Sequence, residues 1–101
     1  MLPIQALWEK HLATPFPAEL AIAEIEGMSL ALIEAAAAEC IGRFLADGSL
    51  DLRRTALLGL TFRHITVIRR SLTGAYQDYF LRLEDLAYEV LIAVRDSAPV
   101  V

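Results

Sequence analysis

A chain of 101 residues, 56% of them hydrophobic, with a mean hydropathy of +0.49 and a formal net charge of −4, has the size of one domain, residues 1–101. Its longest uncharged stretches run to 8 residues, as in "TALLGLTF" at 55–62, which excludes a membrane-spanning helix of about 20 residues. No basic start followed by an apolar run marks a secretory signal, and the single Cys40 cannot form an internal disulfide, so a reducing, cytoplasmic setting is expected.

Residues 3–13, "PIQALWEKHLA", place Ile4, Leu7, Trp8 and Leu12 at helical spacing, with Pro3 suited to the first turn. "TPFP" at 14–17 ends that helix, because each proline lacks an N–H and biases its predecessor towards extended geometry, and Phe16 is expected to plug the end of a bundle. From Ala18 to Gly27 the sequence is compatible with a short helical turn or an extended connection. A second helix starts between Ser29 and Glu34 and carries Ile33, Ala37, Cys40, Ile41, Phe44 and Leu45 on one face, with Gly48 placed to end it. Residues 51–72 form a third helix with a stripe of Leu57, Thr61, Ile65, Ile68 and Leu72, broken by "TG" at 73–74. The fourth runs from about Ala75 to Arg95 with Tyr76, Tyr79, Phe80, Leu83, Leu86, Ala87, Val90, Leu91 and Val94 facing inward. No alternating run argues for a sheet, and "SAPVV" at the C-terminus is expected to fray. The pattern predicts an all-α fold, a small antiparallel bundle of three longer helices with the short N-terminal helix closing one end.

The landmarks "WEK", "FP", "EIEG", "CIGRFL" and "LDLRRTALLGL" resemble a set of short uncharacterised bacterial proteins, mainly from high-GC genomes. The resemblance spans most of the chain and implies a helical fold, with no activity, cofactor or partner attached. Acidic residues near positions 29 and 34 belong to that pattern, whereas this chain has Ser29 and Glu34.

The segment "LRRTALLGLTFRHITVIRR" at 52–70 holds five arginines and poses the main functional alternative. Residues 1–48 carry a net −5, residues 49–77 a net +4 and residues 78–101 a net −3. A cationic helix between anionic ones finds counter-charge within the chain, with the stripe Asp78, Asp85, Glu89 and Asp96 expected to supply part of it. Nucleic-acid binding through the helix at 51–72 remains an alternative but is disfavoured. At about 100° per residue only Arg63 and Arg70 share a face, and a phosphate backbone rewards a continuous basic stripe.

Catalytic constellations are not visible. His64 lies at the edge of its helix's stripe and has only His11 as a fellow histidine, without the spacing of a metal site. Cys40 reads as a small core residue. "GMSLA" at 27–31 lacks the strand context of a nucleophile elbow, and Glu24 and Glu26 would diverge on a helix. No cofactor, metal or catalytic residue is therefore assigned, and a ligand pocket or enzyme near His64 and Cys40 stays as a further alternative.

The apolar content exceeds what a small core absorbs, and two helices carry second apolar faces. Leu81, Tyr88 and Ile92 share one side of the fourth helix, away from its core stripe; Leu60 and Val67 do the same on the third, with Arg63 among them. These six residues are the expected interface of a homodimer or another protein partner, with Tyr88 as anchor.

Overall fold

The computed structural model describes residues 3–97 and places four helices and one small hairpin along the chain. Helix α1 (Ile4–Ala13) is followed by a 3-10 turn (Ala18–Leu20) and by strands β1 (Glu24–Ile25) and β2 (Met28–Ser29). Then come α2 (Leu30–Asp47), α3 (Leu52–Arg70) and α4 (Gly74–Ser97). The all-α antiparallel bundle is what the periodicity predicts. The C-terminal "SAPVV" lies, beyond Ser97, outside the described residues.

Helix boundaries sit on residues that satisfy orphan backbone groups. Ser29 caps α2 by accepting from the Leu32 N–H at 3.3 Å, and Asp51 caps α3 by accepting from the Arg54 N–H at 2.8 Å. Gly48 ends α2 in the left-handed region at φ 75°, where its N–H donates to the Phe44 carbonyl at 2.7 Å. Leaving only residues 48–51 between α2 and α3 forces those two helices to run antiparallel.

The segment before α2 is both of the things its sequence allowed, a helical turn and then extended chain. Glu24 pairs with Ser29 and Ile25 with Met28 across a two-residue turn, Glu26–Gly27, in which both residues have positive φ (51° and 77°). That is the turn geometry whose twist matches two antiparallel strands. The expectation of no strand is corrected to this extent: a Glu-Gly pair closed a hairpin too short to leave an alternating pattern.

The long helix α4 packs against α1, α2 and α3, and its inner stripe of Phe80, Leu83, Leu86, Ala87 and Val90 is fully buried. Leu58, Ile65 and Ile68 of α3 and Ala37, Cys40 and Ile41 of α2 meet it. Each large side chain so enclosed contributes roughly 1.5–3 kcal/mol, and α2, α3 and α4 all supply such residues. Leu58 rather than Leu57 takes the inner position on α3, and Leu57 stays 41% exposed. Thr61, Ile65 and Ile68 stay enclosed as the stripe predicts, and Leu58 joins them because it lies on the edge of that arc nearer α4, the main packing partner of α3, whereas Leu57 lies on the opposite edge.

Helix α1 packs on α4, and two of its side chains reach α2. Trp8 reaches Gly42, where a Cβ would come to 3.6 Å from the indole, while His11 reaches Glu34 nearer the start of α2. Counting about 100° per residue, His11 sits near the centre of the arc spanned by Ile4, Leu7 and Trp8, and Leu12 falls about 100° beyond it. Leu12 is accordingly 65% exposed, and His11, at 3%, takes the buried place assigned to it from apolarity alone.

Candidate functional site

A buried polar cluster joins the three elements around α1. His11 Nε2 stands 3.2 Å from Glu34 Oε1, the Tyr79 hydroxyl donates to the same oxygen at 3.2 Å, and the hydroxyl and imidazole are 3.4 Å apart. Since a carboxylate only accepts, the arrangement is satisfied when both Nε2–H and the phenol donate to Glu34. Among the described residues His11 Nδ1 is then a buried acceptor without a partner. Trp8 stacks on the imidazole at 5.9 Å between centroids, and Phe16 meets Tyr79 edge-on at 5.5 Å, so aromatic rings cover the His11 and Tyr79 sides of the cluster while Glu34 keeps an edge in water. Burial, followed by the Glu34 charge, pushes the Tyr79 hydroxyl well above its ordinary value. The cluster is a polar clasp between α1, α2 and α4, built from residues 23 and 68 positions apart from His11.

The arginine helix is tied on both sides. Towards α2, Arg54 Nε contacts Glu39 at 3.3 Å and its guanidinium also pairs with Asp51 at 2.6 Å. Towards α4, Arg69 Nε lies 2.8 Å from Glu84 Oε1 but off the N–H direction, an ion pair and not an aligned hydrogen bond. Thr66 Oγ1 donates to the other Glu84 oxygen at 2.6 Å. The counter-charge from α4 is thus Glu84, on the side turned towards α3, and not the outer stripe expected for it. Among the described residues Arg53, Arg63 and Arg70 are exposed and form no ion pair, and Asp78 and Asp85 are likewise exposed and unpaired.

The six residues expected at an interface are placed as follows. Leu60 is 50% exposed, Leu81 41% and Tyr88 51%; Arg63 is exposed, and Val67 and Ile92 are half-buried. Tyr88 leans on Phe62 of α3, with ring centroids 6.1 Å apart at 37°. Leu60 and Val67 lie about 140–160° round α3 from Phe62, so Arg63 stands between them and the Tyr88 side. On α4, Leu81 borders a groove of about 420 Å³ that it lines with Leu7, Lys10, Asp78, Arg82 and Asp85. Partial burial, then the neighbouring Glu84 and Glu89, raises the Asp85 carboxyl above its usual range, with Arg69 offsetting part of this.

Cys40 is buried, with its thiol 3.8 Å from the Arg54 carbonyl, and burial followed by the Glu39 charge raises its pKa. Raised and enclosed, it is held as a thiol, the opposite of an activated nucleophile. His64 is half-buried on α3. An apolar groove of about 450 Å³, lined among others by Leu50, Leu52, Leu91 and Val94, lies at the far end of α4, and neither His64 nor Cys40 borders it. Among the described residues no helix is long and apolar enough to cross a membrane.

No protein-family model matches the chain, and no curated protein and no solved structure matches it either.

As a metal-type ligand His11 has no fellow at a suitable spacing, and that comparison does not reveal the clasp. The place of His11 at the centre of the Ile4, Leu7 and Trp8 arc was the available signal. A histidine there must find a polar partner inside, and Glu34 and Tyr79, each on an inner face, were the candidates.

Proposed function

We propose that the chain is a protein–protein interaction module that works as a homodimer through the outer faces of α3 and α4. The observation that carries this reading is the exposure of Leu60, Leu81 and Tyr88 at 50%, 41% and 51% on two neighbouring antiparallel helices. A scattered leucine needs no explanation, but Leu81 and Tyr88 share one side of α4, with Leu60 beyond Arg63 on the neighbouring helix, and such a surface suits another chain. Tyr88 is suited to anchor it, since a tyrosine buries much area with few rotatable bonds and keeps its hydroxyl at a wet rim. The arginine helix spends Arg54 and Arg69 within the chain, and of the arginines left unpaired among the described residues only Arg63 and Arg70 share a face, too short a basic stripe to favour a phosphate backbone as the partner.

The test is the solution mass of the purified protein at micromolar concentration, measured by light scattering. A dimer that falls to a monomer in the Tyr88→Glu, Ile92→Glu double variant is the expected result. An unmodified protein that runs as a monomer refutes the homodimer, and a double variant that stays dimeric refutes this face.

A further inference from the structure

Resting on the homodimer reading, we infer that the two copies are related by a two-fold axis running along the helices, with Arg63 and Arg70 of each copy meeting the partner's Asp85 and the partner's Asp78. The register inside one chain leads to this pairing. Thr66 bonds Glu84 and Phe62 packs on Tyr88, so stepping along the antiparallel pair puts Arg63 level with Ala87 and Arg70 level with Phe80. Asp85 and Asp78 each lie two residues from those levels, about 3 Å along the axis at 1.5 Å per residue. An arginine side chain spans that offset easily. The two arginines are seven residues apart, as are the two aspartates, so each pair points to one face and both pairs form in the same arrangement.

The symmetry follows from the charges. A two-fold axis parallel to the helices keeps every residue at its level and lays α3 of one copy over α4 of the other. An axis lying in the face but across the helices lays α3 on α3 and sets arginine against arginine, which costs free energy. The charges used are those left over inside the chain: Arg63, Arg70, Asp78 and Asp85 are exposed and unpaired among the described residues. Lys10 and Arg82 line the same groove as the two aspartates but form no ion pair with them. Partial burial, then the neighbouring Glu84 and Glu89, raises the Asp85 carboxyl, so an incoming cation relieves it.

Charge reversal with complementation tests the pairing. Arg63→Asp and Asp85→Arg each place like charges at two symmetry-related contacts, so each variant alone is expected to dimerise at least about tenfold more weakly than the unmodified protein at low salt. Mixing the two variants, one carrying a mass tag, restores opposite charges at both contacts and is expected to yield a heterodimer of near-original affinity. The Arg70→Asp and Asp78→Arg pair repeats the experiment independently, with circular dichroism melts confirming that every variant is folded. If single variants dimerise normally, or weaken without rescue on mixing, while Tyr88→Glu with Ile92→Glu still dissociates the dimer, the face is right and the pairing is wrong. If that double variant stays dimeric, or the unmodified protein is monomeric, the homodimer reading itself fails and the pairing fails with it.

Discussion

Tyr79→Phe removes one oxygen from the buried clasp and leaves its shape intact. In the native chain that hydroxyl donates to Glu34 at 3.2 Å in a site where Tyr79 is 3% exposed. A hydrogen bond to a charged group contributes roughly 1.5–3 kcal/mol. Glu34 retains His11 as a donor and its side chain is 20% exposed, so water recovers part of the loss and the expected cost is about 1–2 kcal/mol. For a domain of this size that is a fall in melting temperature of roughly 5–15 °C. Urea unfolding followed by the fluorescence of Trp8, the only tryptophan, is the suitable assay, because the indole stacks on His11 and reports directly on the seating of α1. The pH dependence supplies a second reading. The folded-state pKa of Tyr79 is raised, by burial first and the Glu34 charge second. The hydroxyl's contribution is therefore complete below the unfolded value of about 10 and is lost as the pH rises towards the folded value. The stability gap between the native chain and the Phe variant should narrow above about pH 10. A variant within about 0.3 kcal/mol of the native chain at neutral pH, or a gap unchanged by alkali, refutes the clasp.

Glu26→Asn is expected to stabilise the protein by about 0.5–1 kcal/mol, because Glu26 occupies the left-handed region at φ 51°, where asparagine is better tolerated. A thermal melt that moves downward contradicts that account of the hairpin. Asp85→Asn should raise the melting temperature of the dilute monomer at neutral pH. A carboxyl whose folded pKa is raised favours the fold when protonated and costs stability once ionised, so the gain should vanish as the pH falls below about 4. The same substitution should weaken the proposed dimer, and concentration-dependent melts separate the two effects.

Four helices, their order and their ends were legible because they depend on neighbours along the chain. Ser29, Gly48 and Asp51 act on backbone groups within four residues, and the inner stripe of α4 repeats at the helical period whatever lies opposite. Second apolar faces were legible for the same reason, since Leu81 and Tyr88 fall away from that stripe on any helix. Contacts between distant residues decided the rest. Whether Leu57 or Leu58 is enclosed depended on how α3 settled against α4, and Arg69 found Glu84 only once the two helices were in register. His11 could be buried only because folding brought Glu34 and Tyr79 to its ring, and local periodicity carries no information about partners 23 and 68 residues away. Burying a polar group without such a partner is costly, so periodicity set His11 on the packed face of α1 and the tertiary structure supplied the partners that let it stay there.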